Sequence, residues 1–211
     1  MASKKLSREE RQQLHYVAKR VRIAYPHVFE PQTPNFQGDD DTPKAPAWSL
    51  QVRLDPNNDH DKQVIADIEA LMQRAAKIYW EKDAETALRI AKRQDTTCFI
   101  RESRDGTYLT FNVKRVKRDA TTAGPRVVGP QKQALKPEDG LIYSGMVGNV
   151  VFDMWCFGDP QGKFKPGFAA ELMGLQFVSH GDPIGGGTVS ATDDDFEDLS
   201  DAGDGDGEDW I

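Results

Sequence analysis

The sequence lacks the features by which several classes of protein are recognised. No stretch reaches the roughly 18 apolar residues that a membrane-spanning helix needs. The charged N-terminal residues 1–20 contain no apolar segment of the kind that a secretory signal requires. Cysteine occurs only at Cys98 and Cys156, without zinc-type spacing and in too small a number for a disulfide framework. We therefore expect reduced, buried cysteines and a cytoplasmic protein.

Signals for an enzyme are also lacking. The four histidines are scattered, and no two of them have the spacing of metal ligands. Residues 158–163 resemble a phosphate-binding loop, but they have three residues between the glycines where four are required. The Asp-rich residues 201–209 lack the ligand spacing of a calcium loop. We expect no enzymatic activity, no catalytic residue, no metal and no cofactor.

Charge is distributed unevenly along the chain. The 211 residues carry 27 Lys and Arg against 34 Asp and Glu, a net charge of -7. Residues 188–211 hold ten of the acids and no base, so residues 1–187 keep 24 acids and a net charge of about +3. A block of like charge among Gly, Asp and Ser cannot bury enough apolar surface to fold. We therefore expect one folded domain over residues 1–187, ending in a glycine-rich hinge, and a disordered acidic C-terminal tail over residues 188–211.

Alternation of apolar and polar residues predicts strands through most of the folded domain. In the first strand, Val17, Val21 and Ile23 share one face. A phase slip near residues 114–116 predicts a β-bulge, and Arg126–Val128 predicts a small hairpin. The predicted strands are Tyr16–Tyr25, Trp48–Leu54, Thr96–Glu102, Thr107–Lys117, Tyr143–Phe157 and Phe168–Val178.

A helix is predicted after the second strand, because apolar residues recur every three or four positions over Asp61–Tyr79. Asp59 or Asp61 is the predicted N-cap. The helical pattern continues to about Ala91, with a break near Lys82. Residues 6–15 are predicted to be a polar lead. Residues 29–46 contain four prolines and predict a long loop.

The predicted elements place the protein in the mainly β class. A small antiparallel barrel of the oligonucleotide-binding (OB-fold) type fits them, with a helix inserted after the second strand and the acidic tail at the end. Closure into a barrel buries one face of each strand and removes exposed edges. A β-sandwich fits the spacing of the strands nearly as well.

Cations and aromatic rings are interleaved on the polar faces of the predicted strands. Between Arg89 and Lys136 lie twelve Lys or Arg and four Asp or Glu. Single-stranded nucleic acid binds where cations follow its phosphates and rings stack on its unpaired bases. We therefore predict a surface that binds single strands with little sequence preference. Its predicted residues are Arg20, Arg22, Tyr25, Trp48, Arg101, Tyr108, Lys114, Arg115, Lys117, Trp155, Phe157, Lys163, Phe164 and Lys165.

Other interpretations of these residues remain open. Trp155 and Phe157 could form a second apolar layer against the helix, and Tyr25 and Trp48 could pack in the core or at its rim. An acidic-tailed scaffold or chaperone-like interaction module would not be retained on oligonucleotide beads. A metal-dependent nuclease on the same barrel would cleave strands only with magnesium.

The tail resembles a nucleic acid in its charge, since it carries ten carboxylates in 24 residues. A flexible tether would hold these carboxylates near the basic surface at a concentration on the order of mM, so we expect them to compete with weak ligands. The apolar end of the tail is also a docking peptide in this hypothesis, with the acids steering it to basic partners. A solubilising tail is the simpler alternative. The predicted docking residues are Asp193, Asp194, Asp195, Glu208, Asp209, Trp210 and Ile211.

Several segments resemble the single-stranded DNA-binding proteins of bacteriophages, which are replication proteins with an OB-fold and an acidic C-terminal tail. The segments that carry the likeness are Arg22–Pro31, Trp48–Leu54 with the helix that follows, Leu141–Asn149, Leu175–Val178 and Asp182–Gly187. Tails of that family commonly end in Phe, whereas this one has Trp210 followed by Ile211.

The resemblance implies a protein that coats single-stranded DNA without sequence preference during phage DNA replication, recombination and repair. It also implies that the tail contacts DNA polymerase or other replication proteins. The expected location is then the cytoplasm of the host cell.

Overall fold

One curved sheet contains seven strands within the residues that the computed structural model describes, which are 6–33, 45–93 and 99–184. The helices are α1 (Arg8–Gln13), α2 (Asp59–Trp80) and α3 (Ala84–Arg93), and 3-10 turns occur at Glu81–Asp83 and Pro137–Asp139. The strands are β1 (His15–Gln32), β2 (Ala47–Leu54), β3 (Arg101–Glu102), β4 (Leu109–Val116), β5 (Arg126–Val128), β6 (Val147–Phe157) and β7 (Gly167–Ser179). Their order across the sheet is β3-β4-β2-β1-β6-β7-β5.

The sheet curls until β4 and β7 face each other across a seam. In the described part of the chain no strand ladder joins β4 to β7, and side chains close the gap: Arg115 Nη1 donates to Met173 Sδ at 3.4 Å. The predicted mainly β, barrel-like fold with a helical insertion after the second strand is therefore confirmed. A single continuous sheet rules out the sandwich alternative. The predicted tail and the boundary at residue 187 lie outside the described residues.

Strand β1 is longer than predicted, and its pairing register shifts at three places, two of them at bulges and the third between His27 and Gln32. Arg20 and Tyr25 have φ of 51° and 49°, and the pairing register shifts beside each of them. A bulge adds a residue and changes which side chains face inward. For this reason Ala18 is buried and Val17 is only half-buried, contrary to the prediction. The strand continues to Gln32, within the predicted loop.

Side-chain caps define the N-termini of the first two helices. The predicted polar lead contains α1, which begins with a capping box formed by Ser7 and Glu10. The N-cap of α2 is Asn58, whose side chain accepts from two backbone N–H groups; the predicted caps Asp59 and Asp61 are wrong. The predicted break is confirmed, since the helix stops at Glu81 (φ 48°) and resumes as α3.

The predicted bulge at residues 114–116 is wrong. Strand β4 pairs with β2 in an unbroken register from Val116 to Leu109. The alternation only seemed to slip because Arg115, a charged residue, occupies the side of β4 that Phe111 and Val113 fill elsewhere. It lies half-buried in the seam.

Two further elements differ from their predicted form. Strand β6 begins at Val147 rather than at Tyr143, because the preceding residues form a turn at Gly145. The predicted hairpin at Arg126–Val128 is present only as one antiparallel bridge between Val128 and Ala134. Strand β5 itself pairs in parallel with β7.

An aromatic cluster occupies the centre of the core. Phe152 is fully buried, and its ring centroid lies 5.6 Å from Tyr16, 5.8 Å from Phe111 and 6.2 Å from Phe99. Burial raises the pKa of the Cys156 thiol, which is free and buried as expected; Cys98 lies outside the described residues. The helices of the described residues include none that is long and apolar enough to cross a membrane.

Candidate nucleic-acid interface

A cleft of about 460 Å³ opens beside the outer face of β2 and β4. Its polar side includes Gln51 and Asn112, which are directly opposite in the ladder and share a hydrogen bond of 3.3 Å. The buried rings of Phe99 and Phe168 lie at its apolar side. The cleft is lined by Tyr25, His27, Ser49, Leu50, Gln51, Phe99, Arg101, Asn112, Lys114, Phe157, Phe168, Ala169 and Ala170. Four of the residues predicted to bind single strands therefore line the same cleft: Tyr25, Arg101, Lys114 and Phe157.

A cation held between two aromatic rings stands beside the cleft. The guanidinium of Arg53 lies 4.5 Å from the ring centroid of Tyr108 and 5.5 Å from that of Tyr25, and Nη2 donates to Tyr25 Oη at 3.2 Å. Arg53 was missed in the sequence, although alternation along β2 places it on the same face as Gln51. Planar stacking fixes an Arg side chain where it can meet a phosphate or a base.

The two rings at the end of β6 are exposed. The side chain of Trp155 is 40% exposed and that of Phe157 is 37% exposed. Cys156, which lies between them, and Met154, which precedes them, are buried. Their ring centroids are 5.7 Å apart with the planes inclined by 56°. The exposure of both rings argues against the alternative in which they pack as a second apolar layer against the helix. It leaves them able to stack on bases.

A small depression at the seam continues the cleft. It is lined by Lys114, Val116, Arg118, Trp155, Ala169, Ala170 and Glu171, and it shares Lys114 and two alanines with the cleft. Beside it Arg115 Nη1 is 3.6 Å from Glu171 Oε1, so one acid stands among three cations. The cations and the Trp155 ring thus lie along one surface.

Three predicted residues have roles within the fold. Trp48 is 5% exposed, and its Nε1 donates to Phe29 O at 3.3 Å, so its interpretation as a stacking residue is corrected to a core residue. Arg22 is exposed but donates to the carbonyl of Asp182 at 2.8 Å. Arg20 forms the first β1 bulge, and its N–H donates to Asn149 Oδ1 at 2.8 Å. Neither Arg20 nor Arg22 lines the cleft.

The other predicted residues lie at the margins. Lys163, Phe164 and Lys165 are exposed on the β6–β7 loop, and Phe164 is 74% accessible; none of the three lines the cleft. Lys117 is half-buried just beyond β4, where its N–H donates to Pro46 O at 2.8 Å. The predicted tail residues lie outside the described residues.

The turn between β3 and β4 is held by one carboxylate. Asp105 accepts hydrogen bonds from Ser103 and from the Thr107 side chain and backbone, and these bonds lower the pKa of Asp105 to about 2. The carboxylate is thus engaged in the turn. Across residues 6–33, 45–93 and 99–184, no group of three or more His, Cys, Asp or Glu is arranged to hold a metal ion.

Fold and site together define a class of protein: a partly open β-barrel with a cleft that carries both cations and exposed rings. The chain belongs to the family described as "Enterobacter phage Enc34, ssDNA-binding protein", whose model matches residues 14–207. "Putative protein p50" of Acyrthosiphon pisum secondary endosymbiont phage 1 is 27% identical over 182 residues, which cover 85% of this chain and 91% of that protein.

Solved structures share the fold. The single-stranded DNA-binding protein from bacteriophage Enc34 in complex with ssDNA has a TM-score of 0.60 at 18% identity, covering 82% of this chain and 91% of that one. Another structure of the single-stranded DNA-binding protein from bacteriophage Enc34 has a TM-score of 0.54 at 18% identity, covering 90% of each chain. At this identity the likeness shows the fold alone.

Proposed function

We propose that this protein binds single-stranded DNA without sequence preference and coats it during phage DNA replication, recombination and repair. The DNA-binding domain spans residues 1–187 in this proposal. Membership in a family of ssDNA-binding proteins supports it.

The observation that carries the proposal is the continuity of the cleft with the seam depression. Exposed rings (Trp155 and Phe157) and cations (Lys114 and Arg118) line that surface together. Rings stack on any base, and cations contact any phosphate, so the surface has the chemistry for binding without reading sequence.

Binding should depend steeply on salt. With four or five phosphate contacts, the logarithm of the association constant should fall with the logarithm of salt concentration with a slope of about -3. Fluorescence titration of labelled oligo(dT) and oligo(dC) at several salt concentrations measures this slope. We expect similar slopes for both, and an affinity independent of salt would refute the proposal.

The same titrations distinguish the two alternative functions. A scaffold or chaperone-like protein would not retain oligonucleotides at low salt. A nuclease would shorten the labelled strand when magnesium is added. Intact strands, bound with and without magnesium, are expected here.

We also propose that residues 188–211 form an acidic tail that competes with DNA for the basic surface and contacts DNA polymerase or other replication proteins. The segment has ten acids and no base, while residues 1–187 have a net charge of about +3. Opposite charges on one chain attract at low ionic strength and are screened by salt.

Removal of residues 188–211 should tighten binding of short oligonucleotides about tenfold at low salt, because a tethered competitor acts at a concentration on the order of mM. The gain should shrink as salt rises. Titration of the full chain and the shortened chain under identical conditions measures the difference. A matched variant with the ten acids replaced by Asn and Gln should behave like the shortened chain; if only the deletion has the effect, charge is not its cause.

A further inference from the structure

A second groove lies on the outer surface of β5, β6 and β7, away from the cleft. It encloses about 280 Å³, and its walls are the apolar side chains of Val128, Val151 and Met173. Arg126 and Lys132 also line it. Among the described residues that line this β5 groove, none is acidic.

The fold fixes the backbone positions of the two cations of the β5 groove. Arg126 lies opposite Gly174 in the parallel pairing of β5 with β7. Lys132, with φ of 65°, belongs to a tight turn in which the Gly129 N–H donates to Gln133 O at 2.9 Å. Gln176 Nε2 anchors that turn through the Gly129 carbonyl at 3.3 Å. The backbone framework of the groove is therefore set by hydrogen bonds within the fold.

The β5 groove is continuous with the seam. Met173 is the extra residue where the β6–β7 register shifts, and it contacts both the groove and Arg115. On β6 the exposed Trp155 and the groove residue Val151 are four positions apart on the same face, a distance of about 13 Å. Between them on that face lies Asp153, opposite Glu171 in the β6–β7 ladder, and each carboxylate has a side-chain partner within 4 Å. A strand leaving Trp155 would therefore cross these two paired carboxylates, beside Arg115, to reach the groove.

We propose that the β5 groove is an additional nucleotide subsite, which a long single strand occupies after crossing the seam. The inference rests on the proposed function. In it the apolar walls receive one base, while Arg126 and Lys132 contact the flanking phosphates. An apolar pocket between two cations, without an acid, matches a base between phosphates better than it matches a neutral peptide.

Oligonucleotides of two lengths distinguish binding at this subsite from binding in the cleft. Single-strand sites on barrels of this type hold roughly 4–16 nucleotides, so oligo(dT) of about 6 nucleotides should fill the cleft and oligo(dT) of about 16 should extend further. The variant is Arg126→Ala with Lys132→Ala in the full chain. The control is Lys62→Ala with Lys77→Ala on α2, which removes the same charge and leaves the cleft, the seam depression and the β5 groove intact.

We expect the groove variant to bind the longer oligonucleotide about tenfold more weakly at low salt, with a salt slope shallower by about 1.4, because two phosphate contacts are lost. Its affinity for the short oligonucleotide should stay within about twofold of the parent. The exchange Arg126→Lys with Lys132→Arg should keep most of the affinity, and the unfolding temperature of every variant should match that of the parent.

Other outcomes overturn the inference. Equal losses at both lengths, or equal losses in the α2 control, would mean that only net charge matters. If the groove variant fails to bind a synthetic peptide of residues 193–211 that the parent binds, and keeps the longer oligonucleotide, the groove is a peptide site. If the parent chain binds neither oligonucleotide, the proposed function itself fails.

Discussion

Replacing Trp155 and Phe157 together by Ala should weaken binding of single-stranded DNA about 100-fold. Each stacked base contributes roughly 1–3 kcal/mol, and a tenfold change in affinity corresponds to about 1.4 kcal/mol. Both rings are exposed side by side at the end of β6, so little core packing is lost with them. The loss should persist at high salt, because stacking is not screened as charge is.

The conservative exchange Trp155→Phe with Phe157→Tyr is the matched control. It keeps two rings, and affinity should stay within about tenfold of the parent. Titration at low and high salt, together with a thermal unfolding curve for each variant, separates stacking from stability. An alanine variant that is folded and still binds with the parent affinity would show that these rings are not the platform.

Replacing Phe152 by Ala should reduce the free energy of unfolding by about 3–5 kcal/mol, the usual cost of removing a buried aromatic ring. Phe152 is fully buried and contacts Tyr16, Phe99 and Phe111. These rings come from β1, from β4 and from the residues just before β3, so the cavity would lie where those segments meet β6. Denaturant titration, or calorimetry, measures the loss.

The substitution Phe164→Ala is the matched control for Phe152→Ala. The Phe164 ring is 74% exposed on the β6–β7 loop, and its removal should change the free energy of unfolding by less than about 0.5 kcal/mol. Comparable losses at both positions would contradict the description of the core around Phe152.

Local periodicity was sufficient to predict most elements. In β6, Val150, Phe152 and Met154 are buried and Trp155 is exposed, as period-two alternation predicts. Strand β2 follows the same rule. The helical insertion was predictable because its apolar residues recur at helical spacing, and its break came within a residue or two of Lys82. These signals are local because each residue's environment follows from its neighbours in one strand or helix.

The remainder of the site depends on residues distant in the chain. Arg53 lies between Tyr25 and Tyr108, which are 28 positions before it and 55 positions after it, so no local pattern reveals the stack. The inward position of Arg115 is tolerated only because Met173 and Glu171 face it across the seam. Without those partners a half-buried guanidinium would be costly, and this is why the sequence suggested a bulge.

Composition by itself determined that the chain is divided into a slightly basic part and an acidic end, and alternation determined the mainly β class. Only the tertiary structure decided which cations and rings share a surface, because the curl of the sheet brings β4 to β7. The same folding placed Arg53 against the rings of Tyr25 and Tyr108, which no alternation within β2 reveals. The physical reason is that a strand's pattern shows that it has two faces, whereas the packing of the whole sheet determines which side chains at its ends meet water.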